Sequence, residues 1–127
     1  MHTILYIEDS SLNRHLVRRY FKRTDIQLIE AETGKEGIKL AKAYRPELIL
    51  LDYHLPDIDG RMVAGELRNL PEVSDTPIIG LTADETYILH RQMLTEGFDE
   101  VLTKPISVNG LLHSIERYLS FNVVDIA

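Results

Sequence analysis

Cysteine is absent, which excludes disulfides, thiol nucleophiles and thiolate metal sites at the outset. No apolar run approaches the roughly 20 residues of a membrane-spanning helix. The segment Met1 to Ile7 is too short and too mixed for a secretion signal. A cytoplasmic chain with no membrane insertion is the expectation. A basic excess is missing as well: 20 acidic residues against 14 basic ones leave a formal charge of −6. That balance repels a nucleic-acid backbone on average, so direct DNA binding is not expected. The basic residues that do cluster, Arg14, Arg18, Arg19, Lys22 and Arg23, fall at helical spacing. They read first as a solvated helix face and second as a docking face for an acidic partner. Linkers, repeats and low-complexity stretches are lacking too. What is present suits one domain with one real core: 127 residues, 44% hydrophobic and 27% charged.

Short apolar runs alternate with amphipathic stretches. Ile4 to Ile7 reads as a buried strand, followed by a helix over 10–23 with Leu12, Leu16, Val17, Tyr20 and Phe21 on one face. Ile26 to Ala31 is a second strand. Thr33 and Glu36 have capping-box spacing, and the helix they open stops before Pro46. Leu48 to Leu51 is the kind of run that lies mid-sheet with both faces covered. A loop from Asp52 to Gly60 leads to a helix with Met62, Val63 and Leu67 inward. Pro77 opens a fourth strand, Ile78 to Leu81; Asp84 is placed to cap the next helix, and Gly97 to stop it. Val101 and Leu102 belong to a fifth strand. Ser107 starts a last helix with Leu111, Leu112, Ile115, Tyr118 and Leu119 inward. Strict alternation predicts an α/β fold, a doubly wound five-stranded parallel sheet. Without a dinucleotide fingerprint the favoured strand order is 2-1-3-4-5.

Polar residues mark the carboxyl ends of those strands: Glu8 and Asp9 after the first, Asp52 after the third, Thr82 with small Ala83 after the fourth, Thr103 and Lys104 after the fifth. Ligands of open α/β sheets bind at these ends, where strand order reverses. Three carboxylates crowded there repel one another, and a hard divalent cation with oxygen ligands relieves them. Mg²⁺ suits that set, and Mn²⁺ could substitute. A carboxylate nucleophile beside a cation and a lysine is equipped to accept a phosphoryl group.

These residues carry a resemblance. Ile7-Glu8-Asp9-Ser10, Leu50-Leu51-Asp52-Tyr53-His54-Leu55-Pro56-Asp57-Ile58-Asp59-Gly60, Leu81-Thr82-Ala83, Glu96-Gly97-Phe98-Asp99 and Leu102-Thr103-Lys104-Pro105-Ile106 stand in the order and at the strand ends seen in receiver domains. The chain resembles the receivers of bacterial two-component response regulators and hybrid histidine kinases over about residues 3 to 120. The resemblance implies the flavodoxin-like receiver fold and a role for each position. Asp52 is the expected phosphoacceptor. Asp9, Asp52, the backbone carbonyl of His54 and Glu8 are the expected metal ligands, Glu8 standing where the family more often has Asp. Thr82 and Lys104 are the expected phosphate-sensing pair, the Ala83 N–H an added donor, and Lys104-Pro105 a cis bond. Expected partners are a histidine kinase or a histidine phosphotransfer protein upstream and a protein target downstream. The chain would then be a signalling receiver rather than an enzyme, catalysing only its own Mg²⁺-dependent phosphorylation and dephosphorylation. Where the family commonly has Tyr or Phe three residues before the lysine, this chain has Val101, so coupling through a switch ring is not expected.

Other readings fit less well. A flavin binder of this fold needs a Ser/Thr/Gly phosphate loop after the first strand, where two acids stand. A phosphatase of the haloacid dehalogenase type needs an Asp-x-Asp on that strand. A degenerate receiver, acting as a phosphorylation-independent scaffold, usually lacks a key residue, and none is missing. Asp57 and Asp59 read as turn and cap residues, and the five histidines show no metal-ligand spacing. Residues 1–120 are expected to form the receiver. Residues 121–127 are expected as a short tail carrying no output domain, its apolar Phe121, Val123, Val124 and Ile126 offering a weak homodimer contact.

Overall fold

In the computed structural model, which describes residues 2–122, five βα units follow one another. They are β1 (Thr3–Ile7), α1 (Ser11–Phe21), β2 (Gln27–Ala31), α2 (Gly34–Tyr44), β3 (Leu48–Asp52), α3 (Gly60–Arg68), β4 (Ile78–Thr82), α4 (Tyr87–Thr95), β5 (Glu100–Thr103) and α5 (Val108–Glu116). The sheet is parallel throughout, in the order β2-β1-β3-β4-β5. All five residues of β3 are buried, as a central strand covered on both faces requires.

Side chains alternate across the sheet, so each strand feeds two cores. Leu5, Ile7, Ile49, Leu51 and Ile78 pack with Val63, Leu67, Met93 and Phe98 from the α2–α4 side. Ile4, Tyr6, Leu48, Leu50, Ile79 and Leu81 pack with Val17, Phe21, Leu111 and Ile115 from the α1 and α5 side. The helices begin where side chains supply the missing backbone acceptors. Ser10 caps α1, Thr33 α2, Asp59 α3, Thr86 α4 and Ser107 α5. Asp57, in the loop after β3, adds a second anchor for α2: its carboxylate accepts from Gly34 N at 2.8 Å and Lys35 N at 2.9 Å.

The structure corrects several expectations. On α1 the buried residues are Arg14, Val17 and Phe21; Leu12 is 66% exposed and Leu16 37%. Val17 and Phe21 face the core as expected and Tyr20 packs against it, but Arg14 rather than Leu12 or Leu16 completes the buried stripe. Arg14 therefore leaves the solvated basic face, and Arg18 is paired with Glu30 at 2.7 Å. Met62, expected inward, is exposed. Asp84 does not cap α4; it accepts from Thr86 N, and Thr86 is the cap. Glu36 reaches back to Glu32 N, one residue beyond the cap. Gly97 stops α4 as expected, at φ 110° in the left-handed region. Phe121 has a core to enter after all: it packs on the α1 and α5 side, and Asn122 exchanges hydrogen bonds with Asp25. Val123, Val124 and Ile126 lie outside the described residues. Among the described residues, no helix is long and apolar enough to cross a membrane.

Candidate functional site

The register of the sheet brings the polar strand ends together. Ile7 pairs with Leu51, so Glu8 and Asp52 leave neighbouring strands side by side. Asp52 pairs with Leu81 and Thr82 with Thr103, which sets Thr82 and Lys104 on the other flank. Lys104 N donates to the Thr82 carbonyl at 2.7 Å, and the Lys104-Pro105 bond is cis. Gly60 closes the loop after β3: a Cβ there would meet the Asp52 carbonyl oxygen at 2.7 Å, so only glycine allows this approach.

Lys104 Nζ donates to Glu8 Oε1 at 2.6 Å and to Asp52 Oδ2 at 3.0 Å. Glu8 is 1% exposed and Asp52 4%. Glu8 also accepts from Tyr6 OH at 3.3 Å, Asn13 Nδ2 at 3.2 Å and Ser10 N at 3.3 Å. Asp52 Oδ1 accepts from His54 N at 3.1 Å. Asp9 is exposed, yet one oxygen each from Glu8, Asp9 and Asp52 lie within 4.8 Å of one another. An all-oxygen, carboxylate-rich set of this kind suits a hard divalent cation.

The electrostatics agree with that. Burial first, and the neighbouring Glu8 second, push the Asp52 carboxyl up to about 7. For Glu8 burial acts upward as well, but hydrogen bonds with Asp52 and Lys104 outweigh it and hold the carboxyl at about 2. Burial works against the charged Lys104, but the two carboxylates override it and raise the ammonium. The three groups form one cluster that is short of positive charge.

Thr82 is fully buried, and its hydroxyl accepts from Asp84 N at 3.1 Å. Ala83 is exposed at the rim. The His54 ring stays exposed, edge-on to Tyr53 at 5.4 Å between centroids. Tyr6, Asn13 and Arg14 were not anticipated here. For Arg14 the available signal was its place on one stripe with Val17 and Phe21. Tyr6 carried none, since a tyrosine in an apolar strand reads as core. Beside Lys104 opens a cavity of about 350 Å³ lined by Asn13, Leu16, Tyr20, Ala83, Pro105 and Ile106. A second groove, between α1 and α5, is lined by Leu16, Arg19, Tyr20, Arg23, Val108 and Leu112.

Comparisons with known proteins agree with this geometry. The profile of the response regulator receiver domain matches residues 4–116. The polar-differentiation response regulator DivK of Brucella anthropi is 31% identical over 117 residues, covering 92% of this chain and 95% of the relative. Chemotaxis protein CheY4 of Vibrio cholerae has the same fold, with a TM-score of 0.88 at 24% identity over 94% of this chain and 99% of that one. The receiver domain of the sensor histidine kinase PA1611 of Pseudomonas aeruginosa, whose structure has a magnesium ion coordinated in the active site cleft, has a TM-score of 0.85 at 26% identity over 92% and 96%. A parallel 2-1-3-4-5 sheet with an acidic cluster and a lysine at its carboxyl edge, matched over nearly its whole length, places this chain in the response regulator receiver domain family.

Proposed function

We propose that the chain accepts a phosphoryl group on Asp52 from a phosphohistidine and that this modification switches its contacts with a protein target. The observation that carries the reading is Lys104 Nζ bridging buried Glu8 and Asp52, with Asp9 in reach. Glu8, Asp9, Asp52 and the His54 carbonyl would hold Mg²⁺, which when bound neutralises charge between the acceptor carboxylate and the phosphoryl oxygens. An Asp52 oxygen attacks phosphorus as the N–P bond to the donor imidazole breaks, and the imidazole leaves with the bond's electron pair. Lys104 exchanges its carboxylate contacts for a phosphoryl oxygen. The Thr82 hydroxyl and the Ala83 N–H donate to the others. The chain is in this sense a signalling module that catalyses only its own phosphorylation and dephosphorylation.

The donor is a histidine kinase or a histidine phosphotransfer protein. The groove between α1 and α5 supports this: it is apolar with Arg19 and Arg23 at its side, it lacks acidic lining residues, and through Leu16 and Tyr20 it joins the cavity beside Lys104. A partner helix with apolar and acidic residues fits there. Incubation with a phosphohistidine donor or a small acyl phosphate tests the reading. Label is expected only with Mg²⁺ and is expected to vanish in Asp52→Asn. Label that survives the substitution or ignores chelator points to a scaffold with an adventitious acceptor.

A further inference from the structure

Arg14 stands fourth in α1, yet it is only 8% exposed. Its guanidinium has three hydrogen-bond acceptors and one further carboxylate within ion-pair distance. Nη1 donates to the backbone carbonyl of Glu8 at 2.8 Å and to that of Asp9 at 3.0 Å. Nη2 donates to Glu32 Oε1 at 3.1 Å, and Nε lies 3.5 Å from Glu30 Oε1. The two carbonyls belong to the consecutive residues whose side chains enter the acid pocket. With both carbonyls tied to one rigid group, the peptide planes of the turn between β1 and α1 cannot rotate independently. The Glu8 and Asp9 side chains leave from those planes.

We propose that Arg14 is a positioning residue for the metal site: its planar fork fixes the turn from which the Glu8 and Asp9 carboxylates reach toward Asp52. This rests on the reading of that cluster as a divalent-cation site. It differs from a plain ion pair between α1 and β2, which needs Glu30 and Glu32 but no carbonyl of the turn. It also explains why a guanidinium is used. A lysine ammonium is a point charge on a flexible stem and cannot hold two carbonyls and a carboxylate in fixed directions. Groups that orient metal ligands from behind commonly change metal affinity about 10- to 100-fold when replaced.

The test is a Mg²⁺ titration of the full chain followed by backbone amide shifts at Asp9, Ser10 and Asp52. Arg14→Lys and Arg14→Gln are expected to bind Mg²⁺ about tenfold or more weakly than the unsubstituted chain. Glu32→Ala, which releases only the outer end of the fork, is expected to stay within about twofold. A merely structural arginine lowers the thermal midpoint in chelator but leaves the Mg²⁺ affinity of the folded chain alone. Unchanged affinity in folded Arg14→Lys, with normal binding by the unsubstituted chain, therefore overturns the proposal and leaves the cation site standing. An unsubstituted chain whose amides ignore Mg²⁺ overturns both. Should neither variant fold, the unsubstituted chain still decides. Its Arg14 side-chain N–H resonances are expected to shift with the same Mg²⁺ midpoint as the Asp9 amide, and resonances that stay fixed to saturation overturn the proposal.

Discussion

Lys104 holds together two carboxylates that the fold has taken almost wholly out of water. Truncating it leaves Glu8 and Asp52 adjacent with no cation between them, and a buried charge that loses its partner is costly. Lys104→Ala is expected to lose about 2 kcal/mol of stability in chelator and to regain most of it in Mg²⁺, because the divalent cation takes over the neutralisation. Thermal unfolding with and without Mg²⁺ measures this; a variant as stable as the parent in chelator contradicts it. Only the position of Lys104 after the fifth strand is legible in the sequence, where it looks like a crevice-mouth residue of little weight for folding. The depth of Glu8 beneath it comes from the register of β1 on β3, and no local pattern reports that.

Elements were legible where one force dominates. Leu48 to Leu51 reads as a central strand because an uninterrupted apolar run has no solvated face, and it is one. Helix starts at Thr33 and Ser107 were readable because capping is a contact between near neighbours in sequence. The inner face of α1 was legible only in part: Val17 and Phe21 were, but carbonyls of the preceding turn make a burial site that suits Arg14 better than Leu12. Thr86 was missed for Asp84 because both suit a cap, and the turn before α4 decided between them. That helix buries the fewest residues of the five: Met93 is its one buried residue, while Tyr87, Ile88 and Leu94 face outward. Val101 packs partly buried against the same core and is stiff at χ1, with a shorter reach than the Tyr or Phe expected at that position from the resemblance. With a beryllofluoride phosphate mimic, amide shifts are expected to concentrate at residues 82–90 and around Lys104, with modest changes at Val101. Large, even changes over α4, β5 and α5 would show that valine substitutes fully for the ring.

For the molecule as a whole, the acid pocket makes folding depend on pH. Asp52 is raised from its ordinary 3.8 to about 7, so in this window the folded chain keeps a proton that the unfolded chain releases. Stability therefore falls as pH rises between those values. Glu8, lowered from 4.5 to about 2, acts in the opposite sense: its contribution is complete above the ordinary value and is lost as pH falls toward the lowered one. In chelator, Asp52→Asn is expected to be more stable than the parent at pH 8, on the order of 2 kcal/mol or more, with the gap narrowed to less than half at about pH 5 and closing near pH 4. Urea unfolding across that pH range checks this, and parallel pH profiles would refute it. The Asp57 contact with the start of α2 has a wider consequence. It clamps the middle of the loop that follows Asp52, while Gly60 clamps its end. Two sides of the pocket thus work as an anvil, while the side after β4 puts Ala83, Asp84 and Glu85 in solvent and is tied only by hydrogen bonds among near neighbours in sequence, from Asp84 N to Thr82 and from Thr86 N to Asp84. Were Asp52 phosphorylated as proposed, the strain would be steered toward one flank of the molecule, and a partner reading that flank would receive a directed displacement instead of a general loosening.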